Sequence, residues 1–260
     1  MSNNLKKNIS IIIFILFSST TLFANSKQLK LISIASKQRM LSQCIAKDYL
    51  YIHKNIAVSK TSKELEVSLL AFSKAHKILV SSIKDEDIHN LLEFVELSAN
   101  DFKETINQPF SLDNAQLILD LSESMLEGSQ YVVDSLNTTK SKKSNPTTIV
   151  EKQRMLTQRI AKYYIAYQSG IKDENTIRSM KQTVIEFSEN LTLLEDHEKN
   201  TPLIQKKINE ISKLWKIVHK FYNNIEKGGL PLIVFNTTNN ISKKMNDIRE
   251  LYLGVKHKKK

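Results

Sequence analysis

Two arginines lie in nearly identical words of the sequence, KQRMLSQCIAK at residues 37–47 and KQRMLTQRIAK at residues 152–162. Each of them, Arg39 or Arg154, follows a glutamine and precedes a hydroxyl residue by three positions. A guanidinium presents several N–H donors in one plane, which matches the oxygens of a small planar anion. No acidic residue stands at the same position near both arginines, so the pattern predicts an external anion as their partner.

The candidate site consists of the polar positions that both words share. A helix places residues three or four apart on one face, where Arg39 and Arg154 stand among small or hydroxylated residues. Small side chains let a second helix approach closely, so we expect the two arginines to meet near a pseudo-twofold axis. Packing of this helix interface without a ligand is the alternative interpretation. The predicted ligand-binding residues are Gln38, Arg39, Ser42, Gln153, Arg154 and Thr157.

The words differ most where the first has Cys44 and the second has Arg159. Arg159 follows Arg154 by five positions, which turns it about 140° round the helix and away from the same anion contact. Because only one word carries this arginine, we do not expect it to be needed in both halves. Cys44 is the single cysteine, which excludes an internal disulfide, and we expect it to be a small buried apolar residue.

The repeat extends well beyond the words. A shift of 115 positions, the difference between 39 and 154, also aligns Phe72 with Phe187. Only five glycines and four prolines occur in 260 residues, and apolar residues recur three and four positions apart, as in buried helices. The sequence therefore predicts an all-α fold of two tandem antiparallel four-helix bundles. The predicted segments are a signal peptide at 1–24, unit 1 at 26–138, a polar linker at 139–147, unit 2 at 148–255 and a basic tail at 256–260.

Polar clusters and capping residues divide each unit into four helical segments. Ser111 is predicted to cap one helix, and Thr201 followed by Pro202 is predicted to start another. Thr148 and Glu151 have the spacing of a capping box, which would begin unit 2. The expected breaks lie near residues 59–62, 84–87 and 107–109 in unit 1, and near 170–173, 200–202 and 228–229 in unit 2.

The first 24 residues have the pattern of an export signal. Lys6 and Lys7 precede an apolar run at residues 9–17, and Ala24 is a small residue suited to cleavage. No second apolar run has the length of a membrane span, so we expect a periplasmic protein, either cleaved or anchored by this segment. The formal net charge of +11 favours anionic partners, and export argues against nucleic acid.

No pattern typical of an enzyme or of a cofactor site is present in the sequence. The six histidines are scattered without the spacing of a zinc motif, and a single cysteine cannot form a CxxC pair. We therefore predict a non-enzymatic protein without a metal ion or cofactor. His76 is expected at the boundary of the core, and Phe102 and Trp215 are expected within it.

The residues QRMLSQ, followed by IAK and YL, resemble the signature of PilJ-type sensory domains, here in two tandem copies. They are also similar to the periplasmic part of nitrate/nitrite sensor kinases. The resemblance implies an extracytoplasmic four-helix bundle that dimerises through its first helix, where the arginine of the word binds nitrate or nitrite. It would give that role to Arg39 and Arg154. It is specific over the word and otherwise covers only helical pattern and length.

The predicted function is a sensory binding protein that captures a small oxyanion, nitrate or nitrite, and presents it to a membrane chemoreceptor or sensor kinase. Because one chain carries the word twice, the interface is expected either within the chain, as a pseudo-dimer, or between two chains, as a homodimer. The alternative function is a periplasmic helical module that docks another protein and binds no small ligand.

Overall fold

The computed structural model is helical throughout the residues that it describes. The backbone is described for residues 2–137, 145–227 and 229–258, and side chains for 27–137, 145–227 and 229–254. These ranges contain eight α-helices, one 3₁₀ turn and no strand, which confirms the all-α prediction. The elements are α1 (Ser2–His53), α2 (Val58–Ser82), α3 (Glu86–Thr105), α4 (Leu112–Leu136), α5 (Pro146–Gln168), α6 (Glu174–Glu195), α7 (Pro202–Asn223), the 3₁₀ turn (Ile225–Lys227) and α8 (Pro231–Lys258).

Three predicted segments fall wholly or partly outside this description. The side chains of the export signal at 1–24 and of the basic tail at 256–260 are not described, and the linker at 139–147 is described only from residue 145. Across the part of the chain that is described, no helix combines the length and the hydropathy that a membrane span requires.

Two of the predicted helix starts are confirmed by their capping hydrogen bonds. The hydroxyl of Ser111 accepts a bond of 3.0 Å from the backbone N–H of Asn114 at the start of α4. The hydroxyl of Thr201 accepts one of 3.3 Å from the N–H of Ile204, and Pro202 follows in the first turn of α7. Each cap gives a partner to an N–H that the helix itself leaves without an acceptor.

The predicted capping box at Thr148 is wrong, because α5 begins two residues earlier. The side chain of Asn145 accepts a bond of 3.1 Å from the N–H of Thr147, and Pro146 occupies the first position of the helix. Proline is tolerated there because the first N–H groups of a helix lack helical partners in any case. Thr148 therefore lies inside the first turn and does not cap the helix.

The first break in the chain also lies earlier than predicted, at residues 54–57 instead of 59–62. Asn55 and Ala57 adopt positive φ angles of 56° and 50°, which turn the chain before α2 begins. Thr61 lies within the predicted break, yet it is buried and its hydroxyl donates to the carbonyl of Ala57 at 3.0 Å. The helix thus satisfies this hydroxyl internally, and the polar cluster forms the first turn of α2.

The two helices that carry the words, α1 and α5, form the centre of the arrangement. α1 packs against α2, α4 and α5, while α5 packs against α1, α6 and α8. The outer helix α3 contacts α4, and α7 contacts α6 and α8. The larger hydrophobic cluster includes residues of both words, such as Ile45 and Ile160. One continuous core therefore joins the two copies, and the words lie in its middle.

The aromatic residues aligned by the repeat are core residues. Phe72 and Phe187 are buried, as are Phe102 and Trp215, which confirms the core prediction for the last two. Phe187 and Trp215 also contact each other, with ring centroids 4.2 Å apart. Burial of one such ring contributes roughly 1.5–3 kcal/mol, so these two side chains help to hold α6 and α7 together.

Candidate functional site

Two clefts open beside the words, and each contains one of the two predicted arginines, Arg39 or Arg154. Cleft 1 has a volume of about 790 Å³ and lies among α1, α4, α5 and α6; cleft 2 has a volume of about 670 Å³ and lies among α2, α5 and α8. The charged and amide residues that line cleft 1 include Arg39, Glu123, Gln130, Lys152, Arg159 and Glu186. In cleft 2 they are Lys60, Glu64, Arg154, Gln158, Asn239 and Lys243. Neither cleft contains both Arg39 and Arg154. We expected the two arginines to share one site, but they lie in separate clefts.

Arg39 is buried in cleft 1, with 3% of its surface exposed. Its Nη1 donates to Oε1 of Gln130, and Nε2 of Gln130 donates to the carboxylate of Asp134 at 3.0 Å. Its Nε has no hydrogen-bond partner in the described structure. Burial lowers the pKa of Arg39, and the carboxylates of Glu151, Asp134 and Glu186 oppose this shift. The guanidinium is thus surrounded by negative charge at a distance, but it contacts a neutral amide.

Arg154 is half-buried in cleft 2, and its side chain has no hydrogen bond or ion pair to any described residue. Burial lowers the pKa of Arg154, the positive charge of Arg249 lowers it further, and Glu151 opposes both. Arginine nevertheless stays protonated in proteins. Arg154 is therefore a charged group whose N–H donors are not used by any residue that the structure describes.

The two glutamines of the predicted site are buried away from the clefts. Nε2 of Gln38 lies 3.1 Å from Nδ1 of His76, and Nε2 of Gln153 donates to the carbonyl of Phe187 at 2.9 Å. Both glutamines keep an Oε1 atom without a partner. They connect the word helices to α2 and α6, and the structure does not bring them to either arginine's cleft.

The two hydroxyl residues of the predicted site bond to their own helices. The hydroxyl of Ser42 donates to the carbonyl of Arg39 at 2.8 Å, and that of Thr157 donates to the carbonyls of Gln153 and Arg154, both at 2.8 Å. Neither residue lines a cleft. Small hydroxylated side chains at these positions satisfy their polar atoms locally while α1 and α5 pack closely, and their contact with a ligand stays a prediction.

The lysine that ends each word is a functional candidate that was not among the predicted site residues. Lys162 is completely buried on α5, and its Nζ donates to the hydroxyl of Ser122 at 2.9 Å and to the carboxylate of Glu123. Nη2 of Arg159 donates to the other oxygen of Glu123 at 2.5 Å. One carboxylate from α4 thus neutralises two cations from α5. A lysine repeated at the same place in both words was the sequence signal that could have revealed this contact.

Lys47, the matching residue in the first word, is also buried and has different partners. Its Nζ donates to Oε1 of Gln158 at 2.9 Å and to Oδ1 of Asn239 at 3.2 Å. The carboxylates of Asp48 and Glu64 lie 3.1 Å and 3.6 Å from the same nitrogen. A buried cation needs such compensation, because transfer of an unpaired charge out of water is costly.

Each buried lysine reaches the last helix of the opposite half. Lys162 contacts α4, and Lys47 contacts α8. A shift of 116 positions, the difference between 123 and 239, aligns Glu123 with Asn239 in these helices. The contacts are therefore equivalent in position, but the first half supplies a carboxylate where the second supplies a neutral amide.

The two carboxylates beside the lysines have pKa values shifted in opposite directions. Burial alone would raise the pKa of Glu123, but the charges and hydrogen bonds of Lys162 and Arg159 outweigh it and lower the pKa to about 2. Burial raises the pKa of Asp48 to about 6, although Lys47 opposes the shift. Glu123 is thus firmly ionised, whereas Asp48 gains a proton just below neutral pH.

Glu151, the acidic residue closest to Arg154 in the sequence, has another partner. It accepts a bond of 2.9 Å from Nε of Arg249, and the hydroxyl of Ser33 lies 3.3 Å from it. Nη2 of Arg249 also donates to Ser33 at 2.6 Å. These contacts join α8, α5 and α1, so the charge of Glu151 is directed to Arg249 and does not form an ion pair with Arg154.

Cys44 and Arg159 occupy matching positions in the words but have different surroundings. Cys44 is buried, as predicted, and burial raises the pKa of its thiol to about 12. Arg159 lies in cleft 1 with Arg39, whereas Arg154 lies in cleft 2. The separation of Arg159 from Arg154 round the helix is therefore confirmed, and it brings Arg159 to the arginine of the other word.

No metal-binding group of three or more His, Cys, Asp or Glu side chains occurs within the described ranges. His76 is buried between Gln38 and Glu96, in keeping with a place at the edge of the core. Comparisons of the chain with protein-family models, with curated proteins and with solved structures give no match. The resemblance to PilJ-type domains therefore depends on the words alone and stays a prediction.

Proposed function

We propose that this protein is a non-enzymatic binding protein that captures a small oxyanion, nitrate or nitrite, with the arginines of its repeated word. The observation that carries the proposal is Arg154, a half-buried guanidinium without a bonding partner among the described residues, facing an open cleft. A charge held in this way needs an anion or water as its partner. An oxyanion suits it because two parallel N–H donors match two oxygens.

The helix contacts support a refinement of the architecture. Contacts of α1 with α2 and α4, and of α5 with α6 and α8, are those expected of two four-helix bundles in tandem. The contact between α1 and α5 would then be the interface of an intramolecular pseudo-dimer. An anion bound beside this interface would alter the packing of the two word helices, which is the change that we propose a partner detects.

The proposed setting is the periplasm, and the proposed partner is a membrane chemoreceptor or sensor kinase. The basic and apolar pattern of residues 1–24 supports export. The PilJ-like word supports a role in signal transduction. The two supports are independent of each other, since the first concerns the leader and the second concerns the core of the folded protein.

Isothermal titration of the pure protein with nitrate and with nitrite tests the proposal. The wild type should bind, and Arg39→Ala/Arg154→Ala should lose binding, since each substitution removes a guanidinium from its cleft. Lys213→Ala/Lys216→Ala is a matched control, because it also removes two positive charges but from the exposed surface of α7. A flat titration of the folded wild type would refute the function.

A second candidate, docking of another protein without a small ligand, is favoured by exposed apolar side chains on α2. Val67 and Leu70 are 65% and 66% exposed, although large apolar residues of a helix usually face the core. This alternative predicts flat anion titrations together with a partner interaction that Leu70→Glu abolishes. Retention of the interaction in that variant would exclude this face of α2 as the docking surface.

A further inference from the structure

The two clefts differ at two matching pairs of positions. Where cleft 1 has the carboxylate of Glu123, cleft 2 has the amide of Asn239, and where cleft 1 has Arg159, the first word has Cys44. In cleft 1 the carboxylate accepts hydrogen bonds from both Arg159 and Lys162. Cleft 1 thus holds an anion that belongs to the protein, and cleft 2 lacks the equivalent group.

The charges lining the two clefts differ in sign. Cleft 1 has three cationic and four acidic residues, the acidic ones being Glu123, Glu127, Asp134 and Glu186. Cleft 2 has three cationic residues, Lys60, Arg154 and Lys243, against the single carboxylate of Glu64. The net lining charge is therefore −1 in cleft 1 and +2 in cleft 2. A small anion is repelled by the first balance and attracted by the second.

Cleft 2 also has unused neutral donors along its lining. The side-chain amides of Asn236, Asn240 and Asn246 line the cleft and have no hydrogen bond within the described structure. Amide N–H groups add directed donors to an oxyanion without adding charge. Together with the free guanidinium of Arg154, they make the lining of cleft 2 rich in N–H donors.

We infer that the anion binds in cleft 2 only, at Arg154 and an amide of α8, and that cleft 1 excludes it because the carboxylate of Glu123 already occupies Arg159 and Lys162. This inference rests on the proposed function, and it adds which half binds and how many anions one chain takes. The ligand class is an anion with two or more acceptor oxygens in one plane. Nitrate, nitrite and small carboxylates share this chemistry, and separate titrations with sodium nitrate, nitrite, acetate and chloride distinguish them.

Exchange of the two matching residues tests the inference directly. Asn239→Glu places a carboxylate in cleft 2 beside Lys47, and its negative charge should weaken nitrate binding at least about tenfold. Arg154→Gln should weaken nitrate binding by a similar factor, because a hydrogen bond to a charged group is lost. Glu123→Asn frees Arg159 and Lys162, so a second nitrate per chain should bind. Nitrate should then also raise the unfolding temperature of Glu123→Asn more than an equal concentration of chloride does.

A control variant tests whether an added surface charge alone weakens nitrate binding. Asn223→Glu makes the same charge change on the exposed end of α7 and should leave binding within about twofold, since screening weakens distant surface charges. If Asn239→Glu lowers the unfolding temperature, Asn240→Glu offers a second carboxylate at an exposed position of cleft 2. Wild-type binding of two nitrates, or its loss in Arg39→Gln with retention in Arg154→Gln, would overturn the inference but leave the proposed function standing. Absence of any wild-type binding would instead refute the proposed function.

Discussion

Cleft 1 and cleft 2 are built from equivalent residues of a duplicated sequence, yet they balance their charges in different ways. Beside cleft 1 the buried Lys162 is neutralised by Glu123, which lines the cleft and comes from a helix of the other half. The matching Lys47, whose partner Asn239 lines cleft 2, is neutralised mainly by Asp48, its neighbour on the same helix, and by Glu64. The comparison shows that duplication preserved the buried cation while the position of its counter-charge changed.

The location of the counter-charge decides what the arginines can do. Glu123 is shared between Lys162 and Arg159, so these two cations have their counter-charge within the protein. Asp48 and Glu64 are the carboxylates nearest to Lys47, and Arg154 has no ion pair with either among the described contacts. A pair of equivalent sites can therefore diverge into a structural ion cluster and a candidate ligand site through substitution of two residues.

The largest expected difference concerns removal of each lysine. Lys47→Met should lower the free energy of unfolding by about 3–5 kcal/mol, because it leaves a buried carboxylate without its cation. Asp48 is 1% exposed, whereas Glu123 is 22% exposed and keeps Arg159. Lys162→Met should therefore cost less, about 1–3 kcal/mol. Urea unfolding of the three proteins measures both losses.

The double variant Lys47→Met/Asp48→Asn is the control for this comparison. It removes the buried carboxylate as well, so it should recover a large part of the loss caused by Lys47→Met. Equal losses in the two single variants would show that the differing counter-charges have no consequence for stability.

The two carboxylates should also give opposite pH dependences. Asp48 has a folded pKa of about 6 against an ordinary value of 3.8, so the native state takes up this proton first, and stability should rise as the pH falls from 7 to 4. Glu123 has a folded pKa of about 2 against an ordinary value of 4.5, so its contribution is present above 4.5 and is lost as the pH falls below it. Each effect should amount to about 1–3 kcal/mol.

Single substitutions assign these two effects. Urea unfolding between pH 7 and pH 3 should lack the rise in Asp48→Asn and lack part of the acid loss in Glu123→Gln. Comparison of each variant with the wild type removes the contribution of all other titrating groups. A rise that persists in Asp48→Asn would mean that another group causes it.

A smaller effect on stability is expected for the ion pair between Arg249 and Glu151, which lies beside the second word. Arg249→Met removes the bonds to Glu151 and Ser33 that join three helices, and should cost about 1–2 kcal/mol, because this pair is partly buried. Lys244 lies on the same helix as Arg249, and Lys244→Met breaks its more exposed pair with Glu210, so this variant should cost less than Arg249→Met. Thermal unfolding compares them, and equal losses would argue against a joining role for Arg249.

The smallest effect is expected at Cys44, where the first word departs from the second. Cys44→Ala should change the free energy of unfolding by about 1 kcal/mol, since it removes one small buried atom. The thiol, buried and with a raised pKa of about 12, should not react with a thiol reagent at pH 8 until the protein is unfolded by urea. Rapid labelling of the native protein would show that Cys44 is accessible in the folded state.

Local features of the fold were predictable because they depend on neighbours in the sequence. Ser111 and Thr201 cap helices through an N–H three residues away, and the spacing of apolar residues was enough to predict helices and buried aromatic residues. Two predicted helix boundaries were wrong because another local interaction was more favourable. At Thr148 the prediction failed because Asn145 caps the helix three residues earlier and Pro146 begins it, and at residues 59–62 it failed because the hydroxyl of Thr61 is satisfied within the helix.

The candidate site was predictable only in part. The repeated word indicated Arg39 and Arg154, and both do line clefts. The buried lysines were overlooked, although they also recur in the words, because lysine usually lies on the surface and its burial depends on partners from other helices. Glu123 and Asn239 could not be recognised, since both lie 36 or more residues from any word residue that they contact.

By itself, the sequence determined that this protein is helical, that a sequence pattern occurs in it twice, and that two words carry the same polar residues. These properties follow from periodicity, capping and identity along the chain, which act over a few residues. Only the tertiary structure decided that the two arginines lie in separate clefts and that Glu123 neutralises the cations of α5 beside one of them. Charge compensation depends on distances between helices, so residues far apart in the chain determine whether an arginine is satisfied or left free for a ligand.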